Sequence, residues 1–152
     1  MMWVLLLPAV FFGDLFLKRY LDSRLEGNTR IYLAGKRAVL RKCHNSGIAG
    51  GRFSGRAKEI STLTLGIMLG FLAKELRLLF QKGKTVQKAG IALLLGGGLS
   101  NWYDRRKKGY VTDYISFCKG PKKLQNLVFN LSDFCIFAGI LMALLGTGKK
   151  ES

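Results

Sequence analysis

The chain has few of the residues from which metal sites and disulfide frameworks are built. It contains three cysteines, Cys43, Cys118 and Cys135, and a single histidine, His44. An odd number of cysteines with no CxxC pair gives no disulfide framework. Cys43 and His44 are adjacent, but a structural zinc site needs about four ligands. The sequence therefore predicts no metal and no cofactor.

Acidic residues are also scarce. Nine Asp and Glu stand against 25 Lys and Arg, so the net charge is +16. Such a chain can attract nucleic acid or anionic lipid headgroups. The basic residues are not interleaved with aromatic ones, as they are on surfaces that bind single strands. We therefore expect membrane lipids as partners and no nucleic acid; nucleic-acid binding is an alternative that rests on charge alone.

Hydrophobic residues make up 49% of the chain although 22% of it is charged, because the two kinds are segregated. The four apolar runs are Met1–Leu17, Ile60–Ala73, Ala89–Tyr103 and Leu127–Leu145. A bilayer span takes roughly 20 apolar residues, with a lower limit of about 17. Only the first and last runs reach that limit, so the middle two need flanking Lys and Arg that snorkel to the interface.

The runs are apolar on every face, which favours a membrane protein over a soluble four-helix bundle. The first run lacks the basic start and the cleavage site of a secretory signal peptide, so we expect it to be retained. We predict a single, mainly α-helical, integral membrane domain over residues 1–152. Its four transmembrane helices are predicted at about residues 2–17, 59–80, 87–104 and 126–147.

The segments between the runs carry strand signals. Residues 30–33 and 38–41 alternate in part, and Val111–Phe117 alternates with period two, which is typical of a strand with one buried face. Four spans would place the first and third loops on the same side of the membrane. Four carboxylates then lie near that one membrane face: Asp14, Asp104, Asp113 and Asp133.

Asp133 lies inside the last apolar run, and Asp113 lies in the third predicted strand. An ionisable group at membrane depth is costly and by default marks a functional site. Two carboxylates that lie close together share one proton, which is the chemistry of an aspartyl hydrolase. The alternatives are that Asp113 pairs with a nearby lysine and that Asp133 caps the last helix.

Five short motifs follow one another along the chain: Asp14–Lys18, Asn45–Ala49, Gly96–Arg105, Gly109–Tyr114 and Phe129–Asp133. In this order they resemble D-x-x-x-K, N-x-G-x-A, G-G-x-x-G-N-x-x-D-R, G-x-V-x-D-[FY] and F-N-x-A-D of the signal peptidase II family, the lipoprotein signal peptidases of bacteria. The chain departs from the family pattern at three places: Ser100 replaces a glycine, Ser132 replaces an alanine, and Gly50-Gly51-Arg52 intervenes before Phe53.

The resemblance implies a catalytic dyad of Asp113 and Asp133. It implies supporting or substrate-binding roles for a further set of residues: Asp14, Lys18, Asn45, Gly47, Asn101, Asp104, Arg105 and Asn130. Asp14 and Lys18, four residues apart on a helix, face each other, as a paired buttress of the site or as an interfacial ion pair. We expect Asp104 to pair with a nearby cation, and Arg105 to anchor lipid phosphate or to fix the third strand.

The family's fold adds a small extracytoplasmic β-cradle and a lid to the four helices. By resemblance the chain is an aspartic endopeptidase that removes the signal peptide from diacylglyceryl-modified prolipoproteins, cleaving just before the lipidated cysteine. Its substrate carries a lipobox, and the enzyme is a monomer. The alternative is a catalytically idle relative that binds lipoprotein precursors or anionic lipid.

The resemblance also places the chain in the bacterial cytoplasmic membrane, with several spans and the active site at the extracytoplasmic face. Charge points the other way. The loops on the carboxylate side hold 18 Lys and Arg, against 7 on the opposite side, and the positive-inside rule puts the more basic side in the cytoplasm. We follow the family, because a reversed enzyme would face no translocated substrate.

Overall fold

The computed structural model of the chain describes residues 2–27, 29–48, 52–53 and 55–146. A short 3-10 helix, Met2–Leu5, precedes the first long helix. The other elements, in chain order, are α1 (Leu6–Arg24), β1 (Ile31–Leu33), β2 (Ala38–Asn45), α2 (Ala57–Leu79), α3 (Thr85–Lys108), β3 (Val111–Phe117), α4 (Lys122–Gln125) and α5 (Leu131–Leu145). The prediction of a mainly helical chain with a small sheet is confirmed.

Helix α3 is the central helix and contacts α1, α2 and α5. Two of its glycines allow this. A Cβ atom added at Gly96 would lie 2.7 Å from the carbonyl oxygen of Leu7, and one at Gly97 would lie 2.7 Å from that of Ser132. The backbones of α1 and α5 therefore pack directly against α3. About one turn further along α3, Asn101 lies between the same two helices.

The sheet is antiparallel with strand order β1-β2-β3. Leu40 pairs with Ile115 but Cys43 pairs with Asp113, so β2 carries one extra residue between these pairs. Because side chains alternate between the two faces of a strand, this bulge puts Asn45 on the face that Asp113 occupies. An unbulged β2 would place Asn45 on the opposite face.

The last helix begins later than predicted. Residues 126–130 were expected to be helical, but Phe129 exchanges backbone hydrogen bonds with Ile115 of β3, at 2.7 and 2.8 Å. Asn130 is then the N-cap of α5, and its side chain accepts from the backbone N–H of Asp133. A strand-like contact and a strong N-cap residue thus replace the first turn of the predicted helix.

Helix α1 continues to Arg24, seven residues beyond the predicted end at residue 17. Among the helices of the described ranges, none has both the length and the hydropathy that a membrane span requires. The prediction of four spans is therefore not confirmed. Large apolar side chains are nevertheless exposed on three helices, among them Phe12, Phe16, Leu63 and Phe137, each at least 64% exposed.

Candidate active site

Two carboxylates from separate elements line one cavity. Asp113 lies in the middle of β3, and Asp133 lies in the first turn of α5. Both border a cavity of about 260 Å3, together with Asn45, Asn101 and Arg105. A second cavity of about 220 Å3 lies on the other side of Asn45 and Asp113. The Asp113 carboxylate is therefore reachable from two adjoining spaces.

Three asparagines bind the two carboxylates, and two of them, Asn130 and Asn101, connect the pair. The Asn130 amide donates to Asp113 Oδ1 at 2.7 Å and to Asn101 Oδ1 at 3.2 Å. The Asn101 amide in turn donates to Asp133 Oδ1 at 3.0 Å. Asn45 donates to the other oxygen of Asp113 at 3.0 Å. One continuous chain of hydrogen bonds thus runs from Asp113 to Asp133 through neutral side chains.

A buried lysine sets the direction of this chain. Lys18, on α1, is fully buried and its ammonium donates to Asn101 Oδ1 at 2.8 Å. Because the carbonyl end of the Asn101 amide faces Lys18, its NH2 end faces Asp133. Asp14 Oδ2 lies 2.7 Å from the same ammonium. The pairing of Asp14 with Lys18 is therefore present, and it is linked to the dyad through Asn101.

Asp104 and Arg105 join the network from the end of α3. Asp104 is fully buried, with its two oxygens 2.9 Å from the Lys108 ammonium and 3.7 Å from that of Lys18, so the expected pairing with a cation is present. Arg105 donates to the carbonyl oxygen of Gly47 at 3.1 Å. It thus holds the turn after β2, and the two expected roles of Arg105, anchoring lipid phosphate or fixing the third strand, stay predictions.

Gly47 also donates its backbone N–H to Asn45 Oδ1 at 3.1 Å. Asn45 is thereby held while its NH2 group reaches Asp113. With this contact the ten residues named from the sequence belong to one connected set, and all of them lie around the two carboxylates.

Sequence reasoning missed three hydroxyl groups that bind Asp14. Ser100 donates to Asp14 Oδ2 at 2.6 Å, and the Ser132 hydroxyl donates to the same oxygen. Tyr114 donates to Oδ1 at 3.4 Å and accepts from the backbone N–H of Leu131. From the sequence, the two serines were identified as departures from the family pattern, with no contact to Asp14 predicted. Their position beside Asn101 and Asp133 was the one available signal.

The alternatives for the two aspartates have different outcomes. No Lys or Arg nitrogen of the described residues lies within ion-pair distance of Asp113, so its pairing with a lysine is not found. Asp133 does cap α5, because its Oδ2 accepts from the backbone N–H of Asn130 at 3.0 Å. Its other oxygen remains on the cavity side with Asn101.

Burial raises the pKa of Asp113 to about 7, and the charge of Asp133 acts in the same direction, while hydrogen bonds from Asn45 and Asn130 oppose the shift. A carboxyl group with such a pKa holds a proton over much of the neutral range. One cavity is therefore bordered by two carboxylates, of which Asp113 is protonated over part of the neutral range.

The described part of the chain contains no group of three or more His, Cys, Asp or Glu side chains arranged to hold a metal ion. The departure at Gly50-Gly51-Arg52 falls mostly outside the described residues, as does Ala49 of the second motif. The lid implied by the family resemblance stays a prediction.

Known proteins resemble this chain over nearly its full length. A sequence profile of the family described as Signal peptidase (SPase) II matches residues 6–147. A lipoprotein signal peptidase of Brevibacillus brevis is 30% identical, with 99% of each chain covered. One from Lactiplantibacillus plantarum is 28% identical, with 99% of this chain and 98% of the relative covered.

The fold is also found in solved structures. Two structures described as a bacterial membrane enzyme superpose with TM-scores of 0.81 and 0.78. They are 20% and 19% identical in sequence and cover 99% and 98% of this chain, and the matches span 93% and 94% of those chains. At such identity the likeness establishes the fold.

Proposed function

The chain belongs to the signal peptidase II family, and we propose that it is a membrane aspartic endopeptidase that removes signal peptides from diacylglyceryl-modified prolipoproteins. The cleaved bond is the one just before the lipidated cysteine. The full-length match to relatives named lipoprotein signal peptidase supports the reaction and the substrate class. We propose Asp113 and Asp133 as the catalytic dyad.

The single observation that supports the dyad is that both carboxylates border one cavity and that each accepts a hydrogen bond from an asparagine side chain. Asn45 and Asn130 bind Asp113, and Asn101 binds Asp133. All of these donors are neutral amides, so they orient the carboxylates without placing a positive charge beside them. A pair held in this way can keep one proton between its members.

That proton state defines the reaction. The ionised carboxylate accepts a proton from water, and the resulting hydroxide adds to the scissile carbonyl carbon. The protonated carboxyl group donates to the carbonyl oxygen at the same time. The roles then reverse, and the departing amine receives a proton as the carbon–nitrogen bond breaks. The two groups titrate as a unit, so neither is assigned as the permanent base.

The cavities on either side of Asp113 suit an endopeptidase, which must bind chain on both sides of the scissile bond. The larger one is walled by apolar residues as well as by the dyad, among them Ile48, Leu127 and Phe129. Small apolar side chains of a lipobox fit such walls. Arg105 and the asparagines offer donors for the substrate backbone.

We propose that α1, α2, α3 and α5 lie in the bacterial cytoplasmic membrane, with the dyad at the extracytoplasmic face and the enzyme acting as a monomer. The exposed apolar side chains of the helices support this placement, since single soluble domains seldom expose so many. The description of the two similar structures as a membrane enzyme supports it as well. A site at the bilayer surface leaves the acyl chains of the substrate in lipid while the peptide bond meets water.

The test is an assay of the purified enzyme on a synthetic diacylglyceryl lipopeptide, with the products weighed by mass spectrometry. We expect a single cut just before the lipidated cysteine, and no cut in the same peptide without the diacylglyceryl group. Binding of the lipopeptide without any cleavage would instead identify an idle relative. Cleavage at another bond would contradict the proposed substrate class.

A further inference from the structure

A second pair of cavities lies away from the dyad, between the start of α2 and the end of α3. One cavity, of about 530 Å3, is lined by Lys58, Ser61, Thr62, Leu65, Trp102 and Arg106. The other, of about 470 Å3, shares Lys58, Ser61 and Arg106 with it and extends to Arg105 and Gly109. Together they form a groove, here called the α2–α3 groove, that opens at the same end of the molecule as the dyad.

Two cations of the α2–α3 groove have no carboxylate partner among the described residues. Lys58 and Arg106 are exposed, and neither makes a salt bridge within the described residues. Arg105 also borders the groove, but it donates to Gly47 and is attracted by Asp104, Asp113 and Asp133. Glu59 is the only carboxylate among the described lining residues. Lys58 and Arg106 against Glu59 leave the groove with a net positive charge, which suits a negatively charged group.

The other end of the groove is apolar. Leu65 and the Trp102 ring line it, and the outer surface of α2 continues it with Leu69 and Leu72, which are 57% and 41% exposed. A tryptophan between charged and apolar surfaces is typical of the membrane–water interface. The groove is therefore amphipathic along the helix direction, with cations at one end and aliphatic surface at the other.

From this arrangement we infer that the α2–α3 groove binds an anionic phospholipid. Its phosphate lies between Lys58 and Arg106, and an acyl chain lies along Leu65 and α2. The substrate class proposed above carries a diacylglyceryl group and no phosphate, so this lipid is a different ligand from the substrate. The inference rests on the proposed membrane placement and is independent of the dyad.

An anionic lipid at this face also accounts for the charge asymmetry of the chain. The loops on the dyad side carry 18 of the 25 Lys and Arg, which opposes the orientation proposed above. Headgroup phosphates in the same leaflet attract cations near the surface by about 1 kcal/mol each. Part of the basic excess then serves lipid binding, while the dyad still faces the extracytoplasmic side.

The test compares two double variants of the full-length protein that remove the same charge. Lys58→Gln with Arg106→Gln changes the groove. Lys122→Gln with Lys123→Gln changes two exposed lysines of α4 that line none of these cavities. Each delipidated protein is titrated in detergent with phosphatidylglycerol and, separately, with phosphatidylcholine of the same acyl chains, and bound lipid is counted by native mass spectrometry.

We expect the wild type and the α4 variant to bind phosphatidylglycerol about tenfold more tightly than phosphatidylcholine, and the groove variant to lose that preference. Equal preference in both variants would overturn the inference. A large excess of inorganic phosphate should leave the lipid bound; displacement by it would show a site for free anions instead. Lipid binding is measured without substrate, so the result does not depend on whether the enzyme cleaves prolipoproteins. Failure of this inference and failure of the proposed activity can therefore be told apart.

Discussion

Two buried polar clusters lie at opposite ends of α3 and differ in how well they are satisfied. At the dyad end, Asp14 and Lys18 are fully buried, and each has several hydrogen-bonding or ionic partners. At the other end, Glu75 is only 6% exposed, yet both of its carboxylate oxygens lack a hydrogen-bond partner among the described residues. Lys88, also near that end, donates only to the backbone carbonyl of Gln81 and lies over the Trp3 ring.

Charged side chains are buried at both ends of α3, but only those at the dyad end each have several fixed hydrogen-bonding partners. A buried charge is costly at either end, but fixed donors recover that cost only at the dyad end. Each donor there also fixes the direction of the next, from Lys18 through Asn101 to Asp133. Removing a member should therefore disturb the dyad end far more than the Glu75 end. Four sets of substitutions test this difference, beginning with the largest expected effect and ending with the smallest.

The largest effect is expected for Lys18→Met. It leaves the buried carboxylates of Asp14 and Asp104 without this ammonium, and breaking a buried pair in this way costs about 3–5 kcal/mol. The same substitution at Lys88 should cost less, about 1–2 kcal/mol, since it removes one hydrogen bond to a backbone carbonyl, the contact over the Trp3 ring and an attraction to Glu75. Denaturant unfolding in detergent measures both. Equal losses of unfolding free energy in the Lys18 and Lys88 variants would contradict the proposed difference between the two ends of α3.

Asn130 has two roles that substitution can separate. Asn130→Ala should cost about 1–2 kcal/mol through loss of the N-cap of α5, and about 100-fold in cleavage rate because Asp113 loses its shortest hydrogen bond. Serine is an equally good N-cap residue, so Asn130→Ser should restore the stability but not the rate. Recovery of the full rate by serine would show that the bridge to Asp113 is unnecessary.

The two serines that depart from the family pattern should act together. Ser100→Gly and Ser132→Ala each remove a hydroxyl donor to the same oxygen of Asp14, at a cost of about 1.5–3 kcal/mol for a bond to a charged group. Because the donors share one acceptor, the double variant should differ from the sum of the singles by at least about 0.5 kcal/mol. Unfolding free energies of the four proteins measure the coupling, and strict additivity would contradict a shared acceptor.

The smallest effect is expected for Glu75→Gln. The carboxylate that it replaces makes no hydrogen bond with any described residue, so the free energy of unfolding should change by less than about 1 kcal/mol or rise. The matched change at the dyad end, Asp14→Asn, should be clearly destabilising. A loss at Glu75 as large as that at Asp14 would reveal a partner for Glu75 beyond the described residues.

Local patterns were sufficient for several elements. The alternation in Val111–Phe117 predicted β3 with the bounds that the structure has, because one face of the strand is buried. The later start of α5 was not predictable from hydropathy, since the pairing of Phe129 with Ile115 is a contact between distant segments. The bulge in β2 likewise leaves no mark in the alternation, although it decides that Asn45 faces Asp113.

The site was predictable as a set of residues but not as a network. Motif order brought Asp113, Asp133 and the asparagines together, yet it gave no direction for any amide. The role of Ser100 and Ser132 was missed because a hydroxyl group in place of glycine or alanine looks like a change in size alone. Its consequence depends on Asp14, which lies on another helix.

The central claim is that Asp113 and Asp133 together hold the proton on which cleavage depends. The most direct measurement is the cleavage rate of a diacylglyceryl peptide by purified Asp113→Asn and Asp133→Asn, with Asp22→Asn as the control. Asp22 lies near the same end of the molecule but pairs with Lys42 and His44 outside the network. We expect a loss of about 1,000-fold or more for each dyad variant in folded protein, and little change for the control. Wild-type rates from either dyad variant would contradict it.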